Sequence, residues 1–236
     1  MPALAEPPPA VPARQPADRS SASSVAPGLT LADLSERFGP IPASRVVTAP
    51  APGTATLEDW EAANRRGDGL YELIDGTLIR KPMSTLSSWL GAEFVRLLGN
   101  LVVPRGLGWI QQADGFFNFE DGLRAPDASF TRKDRLPDGR LPDRGYVAVT
   151  PALVVEVLSP GNTRREMALK RSVYFAAGVE AVWEADPLAR TVVVWTGPDA
   201  DTLLRESDTL TGEPVLPGFT APLSELFAGA DLSNPA

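Results

Sequence analysis

The chain has 236 residues, no cysteine, no histidine and a net charge of -8. Disulfides, thiolate zinc sites, imidazole bases and a Ser-His-Asp triad are therefore excluded, and acid–base or metal chemistry has to use carboxylates, lysine, tyrosine or serine. Oxygen-only donors favour hard ions such as Mg²⁺, Mn²⁺ or Ca²⁺, and the acidic balance argues against a high-affinity, non-specific DNA binder while allowing an acidic site neutralised by a metal.

No stretch approaches the roughly 20 apolar residues of a membrane span. The opening MPALAEPPPAVPARQP lacks the apolar region of a secretory signal. A cytoplasmic protein without membrane contact is expected. Residues 1–27 are rich in Pro, Ala and Ser and read as disordered. LTLADLSERFG (29–39) has the pattern of a short amphipathic helix, and PIPASRVVTAPAPG (40–53) that of an extended linker. The expected division is thus a Pro/Ala-rich extension and linker over 1–55, one domain over 56–228, and a tail over 229–236.

Within the domain, Thr56-Leu57-Glu58-Asp59 is a capping signal for a helix through Arg65. YELIDGTLIRKP (71–82) is a hairpin around Asp75-Gly76. Residues 84–103 carry apolar positions at helical spacing, with Ser84 as cap. Two further strands are expected between 108 and 131, then a polar loop over 132–145. ALVVEVLSP (152–160) reads as a buried strand, and Thr163-Arg164-Arg165-Glu166 as a capping box opening a helix that ends at Gly178. A strand pair over 180–196, a short strand and a short helix complete an α/β (α+β) pattern with a mixed sheet.

The strand at 152–160 raises the chemical question, because Glu156 sits between Val155 and Val157. An ionised carboxylate in a strand core costs several kcal/mol unless a partner compensates it. At 100° per residue, Lys170 falls about 60° from Met167, inside the apolar sector of the following helix, and is expected to point inward, toward the sheet face where Glu156 could lie. Asp127, in RAPDASF, is a second carboxylate in a strand-like run, where Asp is depleted. Asp127 and Glu156 on neighbouring strands can share one divalent cation, with Lys170 holding a water or offsetting phosphate charge. Glu72, between Tyr71 and Leu73, is a fourth candidate. The plainer alternatives are a buried Glu156–Lys170 ion pair, a turn role for Asp127, an exposed strand-edge Glu72 and a core role for Tyr174.

Pro126-Asp127, Glu156 in an apolar strand and then a lysine resemble the PD-(D/E)XK nuclease superfamily. YELIDGTLIRKPM, RAPDASF, LVVEVLSPGNT, the helix EMALKRSVYFAAGVEAVWEADP and the ending VLPGFTAPLSELF are similar, in order and spacing, to the bacterial Uma-two family, which has a restriction-endonuclease-like fold. The superfamily usually places lysine two residues after the glutamate, where this chain has Leu158; the Uma-two branch carries it on the next helix, which matches Lys170. Many relatives have a histidine after the hairpin, where this chain reads STLSSWL.

The resemblance implies a mixed sheet flanked by helices and phosphodiester hydrolysis in nucleic acid, DNA foremost. It implies Mg²⁺ or Mn²⁺ on Asp127 and Glu156, charge stabilisation by Lys170, and Glu72 as a water-mediated ligand or positioning group. A homodimer would suit paired cuts in duplex DNA. Two other readings stand beside it: a nuclease fold that binds nucleic acid or regulates without cutting, and a protein-interaction or assembly role with the Pro-rich segment as tether.

Overall fold

The computed structural model of the protein describes residues 29–136, 139–142 and 145–231. The disorder expected for 1–27 and most of the C-terminal tail lie outside the described residues. Five helices occur among the described residues: α1 (Leu31–Phe38), α2 (Leu57–Arg65), α3 (Thr85–Arg105), α4 (Arg164–Ala176) and α5 (Leu223–Ala228). Twelve strands accompany them: β1 (Tyr71–Ile74), β2 (Thr77–Arg80), β3 (Gly108–Gln112), β4 (Phe117–Phe119), β5 (Gly122–Arg124), β6 (Ala128–Arg132), β7 (Leu153–Val157), β8 (Ala181–Asp186), β9 (Thr191–Gly197), β10 (Ala200–Arg205), β11 (Thr209–Thr211) and β12 (Thr220–Pro222). The main sheet runs β10-β9-β8-β7-β6-β3, a second sheet runs β2-β1-β5-β4, and β11 pairs with β12. Only β7 and β8 are parallel in the main sheet, joined through α4, so the sheet is mixed as expected.

Local chemistry explains the element ends. Capping boxes open α1, α2, α3 and α4 at Thr30, Thr56, Ser84 and Thr163, where each side chain accepts from the backbone N–H three residues on. The β1–β2 hairpin turns on Asp75 and Gly76, both at positive φ (43° and 70°), as a tight two-residue turn requires.

Strand alternation sorts the core. Leu153, Val155 and Val157 of β7 pack with Leu90, Phe94 and Trp183 on the α3 side, whereas Val154 packs with Tyr174 and Val182 on the α4 side. Glu156 shares the parity of Val154, and its carboxylate meets α4.

Three expectations need correction. Residues 40–53, expected as an extended linker, are in fact seated on the second sheet. Val46 bridges to Ile79, Val47 N–H donates to the Leu78 carbonyl at 3.0 Å, and Arg45 is buried. The preceding helix is also seated, with Leu34 and Phe38 packing on Ile74 and Ile79. Proline density conceals this, because an extended chain can still make backbone bonds along a sheet edge. The stretch 108–131 begins four strands rather than two, because Asp114-Gly115, Asp121-Gly122 and Pro126-Asp127 break it into short pieces. Finally, β10 extends the sheet beyond the expected 180–196 pair. Its exposed, polar pattern ADTLLR gives little hydrophobic signal.

Candidate functional site

The site lies where the second sheet meets the α4 face of the main sheet. Glu156 projects from the middle of β7. Lys170, fourteen residues later and near the middle of α4, donates to both of its oxygens, at 3.1 Å and 2.9 Å. Tyr174, one turn further on, donates its hydroxyl to Glu156 Oε1 at 2.6 Å. Glu72 enters from β1: its Oε1 accepts from Ala125 N–H at 3.1 Å and lies 3.5 Å from Lys170 Nζ. Arg124 stands 4.0 Å from Glu72 and is itself paired with Asp121. Glu72, Glu156 and Lys170 are all buried, Lys170 to 2% exposure.

Asp127 forms the outer part of the cluster. It directly precedes Ala128, which pairs with Val155 in β7. Its Oδ2 accepts from Val157 N–H at 2.7 Å, standing in for a sheet carbonyl just before β6 begins. Its Oδ1 is 3.0 Å from the Lys81 ammonium, which also donates to the Ala125 carbonyl. Of the four predicted residues it alone retains appreciable contact with solvent, its side chain being 19% exposed.

The four predicted residues thus converge. Two of the plainer alternatives can be set against the geometry. Glu72 is not an exposed edge residue; β1 has β2 on one side and β5 on the other, and the side chain turns inward to Ala125 and Lys170. Tyr174 is a core residue, as its plainer reading had it, with its ring against Phe119 at 4.9 Å; its hydroxyl also joins the Glu156 network.

Lys81 and Arg124 were not anticipated. The signal for Lys81 was present, since it shares the parity of buried Ile79 and continues the inward face past the end of β2. Arg124 gave a weaker one, a charge inside a three-residue strand beside the Pro126-Asp127 step.

Electrostatics divide the three acids. Burial pushes Glu156 above the ordinary carboxylate range; Lys170 opposes that rise, and nearby Asp127 and Glu72 add to it. Burial acts on Glu72 in the same direction, but Lys170, Arg124 and Lys81 overcome it and hold its carboxyl below the ordinary range. Burial would deprotonate Lys170, yet Glu156, Glu72 and Glu166 raise it above its ordinary value and keep it charged. Burial, then Glu156 and Glu72, push the Tyr174 hydroxyl well up, so it serves as a neutral donor. With Arg124 matched by Asp121, the three carboxylates Glu72, Asp127 and Glu156 face two ammonium groups, Lys81 and Lys170. One negative charge is left over.

No group of three or more acidic side chains is close enough to cage a metal among the described residues. An open site is a different matter. Mg²⁺ commonly takes one or two carboxylates and completes its shell with water and substrate phosphate. Asp127 Oδ1 and the Ala125 carbonyl already present two hard oxygens to a cation, the Lys81 ammonium. That donor chemistry and the surplus negative charge fit a divalent ion beside Asp127.

A second feature stabilises α4. Arg45 grips Glu166 with two bonds, 2.5 Å and 3.0 Å, and donates to the carbonyls of Arg80 and Gly161 at 2.8 Å and 2.7 Å. The Thr163 hydroxyl also donates to the Phe38 carbonyl. Beside the cluster, a groove of about 600 Å³ runs along Ser84, Ser159, Arg164, Arg171 and Trp195. Arg171 stacks on Trp195 at 3.8 Å and is paired with Glu184 at 2.6 Å. Arg164 and Arg165 are exposed.

The Uma2 family, described as "Putative restriction endonuclease", matches residues 55–224. A crystal structure from Anabaena variabilis, titled as a putative nuclease belonging to DUF820, superposes with a TM-score of 0.60 at 20% identity, covering 68% of this chain and 91% of that one. At that identity the likeness shows the fold. No curated protein matches the chain. Among the described residues, no helix is long and apolar enough to cross a membrane.

Proposed function

The chain belongs to the Uma2 family of restriction-endonuclease-fold proteins, and from that premise we propose that it is a metal-dependent nuclease hydrolysing phosphodiester bonds in DNA. The observation that carries this reading is the convergence of Glu72 from β1, Asp127 from the residue before β6, Glu156 from β7 and Lys170 from α4, with one negative charge in surplus. Asp127 and Glu156 would hold Mg²⁺ or Mn²⁺. When bound, such an ion supplies Lewis acidity to a phosphoryl oxygen and makes a water more acidic.

The protein's own groups then have distinct tasks. Lys170 fixes both oxygens of Glu156 and places a permanent positive charge behind the reacting phosphate. Glu72 keeps that ammonium charged and in place. Tyr174 donates to one Glu156 oxygen and so limits how the carboxylate can turn. The Val157 amide does the same for Asp127. Approach to the cluster is on the Asp127 side, where solvent contact remains.

Supercoiled plasmid incubated with Mg²⁺ or Mn²⁺ tests the reading. The expected result is cation-dependent nicking that EDTA stops and Asp127→Asn abolishes. Nicking that persists in Asp127→Asn would overturn the site assignment. A second reading, a fold that binds nucleic acid without cutting it, is favoured by the Lys81–Asp127 pair. It predicts retained DNA binding and no nicking with any divalent ion.

A further inference from the structure

Asp127 meets a cation supplied by the chain itself. The Lys81 side chain is 5% exposed, and its ammonium lies 3.0 Å from Asp127 Oδ1 and bonds the Ala125 carbonyl. These are a carboxylate oxygen and a peptide oxygen, the hard donors a divalent ion would take. Lys81 follows the last residue of β2 and precedes Pro82, and its backbone N–H is held by the Leu70 carbonyl at 2.8 Å, so movement falls to the side chain. Its long aliphatic stem can carry the ammonium outward with little backbone change.

We propose that Lys81 is a built-in occupant of the cation position at Asp127, and that a divalent ion enters by displacing its ammonium. The proposal rests on the metal reading given above and adds the rule of entry. Charge balance favours exchange over simple addition. Glu72, Asp127 and Glu156 carry three negative charges, and Lys170 supplies one positive charge. A divalent ion with Lys81 displaced brings the cluster to neutrality. A divalent ion with Lys81 retained leaves it with one positive charge too many in a buried setting, where such a surplus is costly. Lys81 therefore tunes metal affinity downward and keeps Asp127 paired while no ion is present.

Two measurements on the full chain test this. The first is calorimetric titration of Mn²⁺ into wild type and Lys81→Met. The expected result is binding about ten-fold or more tighter in the variant, since a competing charge within hydrogen-bond distance has gone. The second uses wild type alone and does not depend on the variant folding. The chain has three lysines, Lys81, Lys133 and Lys170. Lys133 is exposed and serves as an internal reference.

Brief acetylation followed by peptide mass spectrometry should show Lys81 labelling rising, relative to Lys133, when Mn²⁺ is added. Mn²⁺ binding with Lys81 labelling unchanged or reduced overturns the exchange and leaves the metal reading standing. So does a variant affinity equal to or weaker than that of wild type. Absence of Mn²⁺ binding in both proteins overturns the exchange and the metal reading together.

Discussion

Replacing Lys170 with methionine removes a charge while keeping most of the side chain's volume. It leaves Glu156 buried at 3% exposure, with the Tyr174 hydroxyl as its remaining side-chain donor. Glu72 is better provided for, because the Ala125 amide and Arg124 still face it. Breaking a buried ion pair by deleting one partner generally costs about 3–5 kcal/mol. Here an escape is available: Glu156 can take up a proton. The ordinary value for its carboxyl is 4.5, and each pH unit above that costs about 1.36 kcal/mol to keep it neutral. Neutralisation at pH 7 therefore costs about 3 kcal/mol, and at pH 5 less than about 1 kcal/mol. Burial and the neighbouring Asp127 already raise the Glu156 carboxyl in the wild type, so protonation is the route the variant should take.

The expected outcome is a pH-dependent penalty. Equilibrium urea unfolding should show Lys170→Met less stable by about 3 kcal/mol at pH 7 and by about 1 kcal/mol or less at pH 5. The sign follows from proton counting: the folded variant holds a proton on Glu156 that the unfolded chain has released, so its stability falls as pH rises. Lys170→Met combined with Glu156→Gln should recover much of the loss at pH 7 and lose the pH dependence. A penalty of the same size at both pH values, or a double variant no better than the single one, would refute this account of the pair.

Two further outcomes concern the rest of the fold. Glu166 is held below its ordinary 4.5: burial alone would raise it, but Arg45 and Lys170 pull it down. Folding thus releases its proton near and below that pH, and its stabilisation, full above the ordinary value, is lost as the solution is acidified through the folded one. Thermal melts between pH 7 and pH 3 should show a steeper acid loss for wild type than for Glu166→Gln. Gly76 has φ of 70°, and a Cβ added there would lie 2.6 Å from the Gly53 carbonyl oxygen. Gly76→Ala should therefore cost about 2 kcal/mol or more, the left-handed penalty plus the clash, read as a lower urea midpoint with unchanged slope; a loss under about 0.5 kcal/mol would show that the 53–76 contact yields freely.

Much of the site was legible because its residues break local rules. Glu156 inside LVVEV and Lys170 inside an apolar helical sector are each costly unless paired, and pairing explains both. The α4 box at Thr163 and the hairpin at Asp75-Gly76 were readable because their chemistry is contained in a few consecutive residues. What escaped the sequence depends on partners far along the chain. Arg45 is an ordinary surface-type residue until Glu166, 121 positions later, is brought against it. Lys81 looks like a strand-end charge until Asp127, 46 positions later, turns toward it. The seating of 40–53 rests on backbone bonds to β2, to which side-chain composition is blind.

The strap formed by Phe38 and Arg45 across the first turn of α4 bears on where the protein can be trimmed. The family match begins at residue 55, and a chain cut there would retain all of Glu72, Asp127, Glu156 and Lys170. It would nonetheless forfeit the guanidinium clasp on Glu166, one turn before Lys170, and the cover over Ile74 and Ile79. Such a minimal fragment would own every reactive group and still hold its key ammonium on a loosened helix.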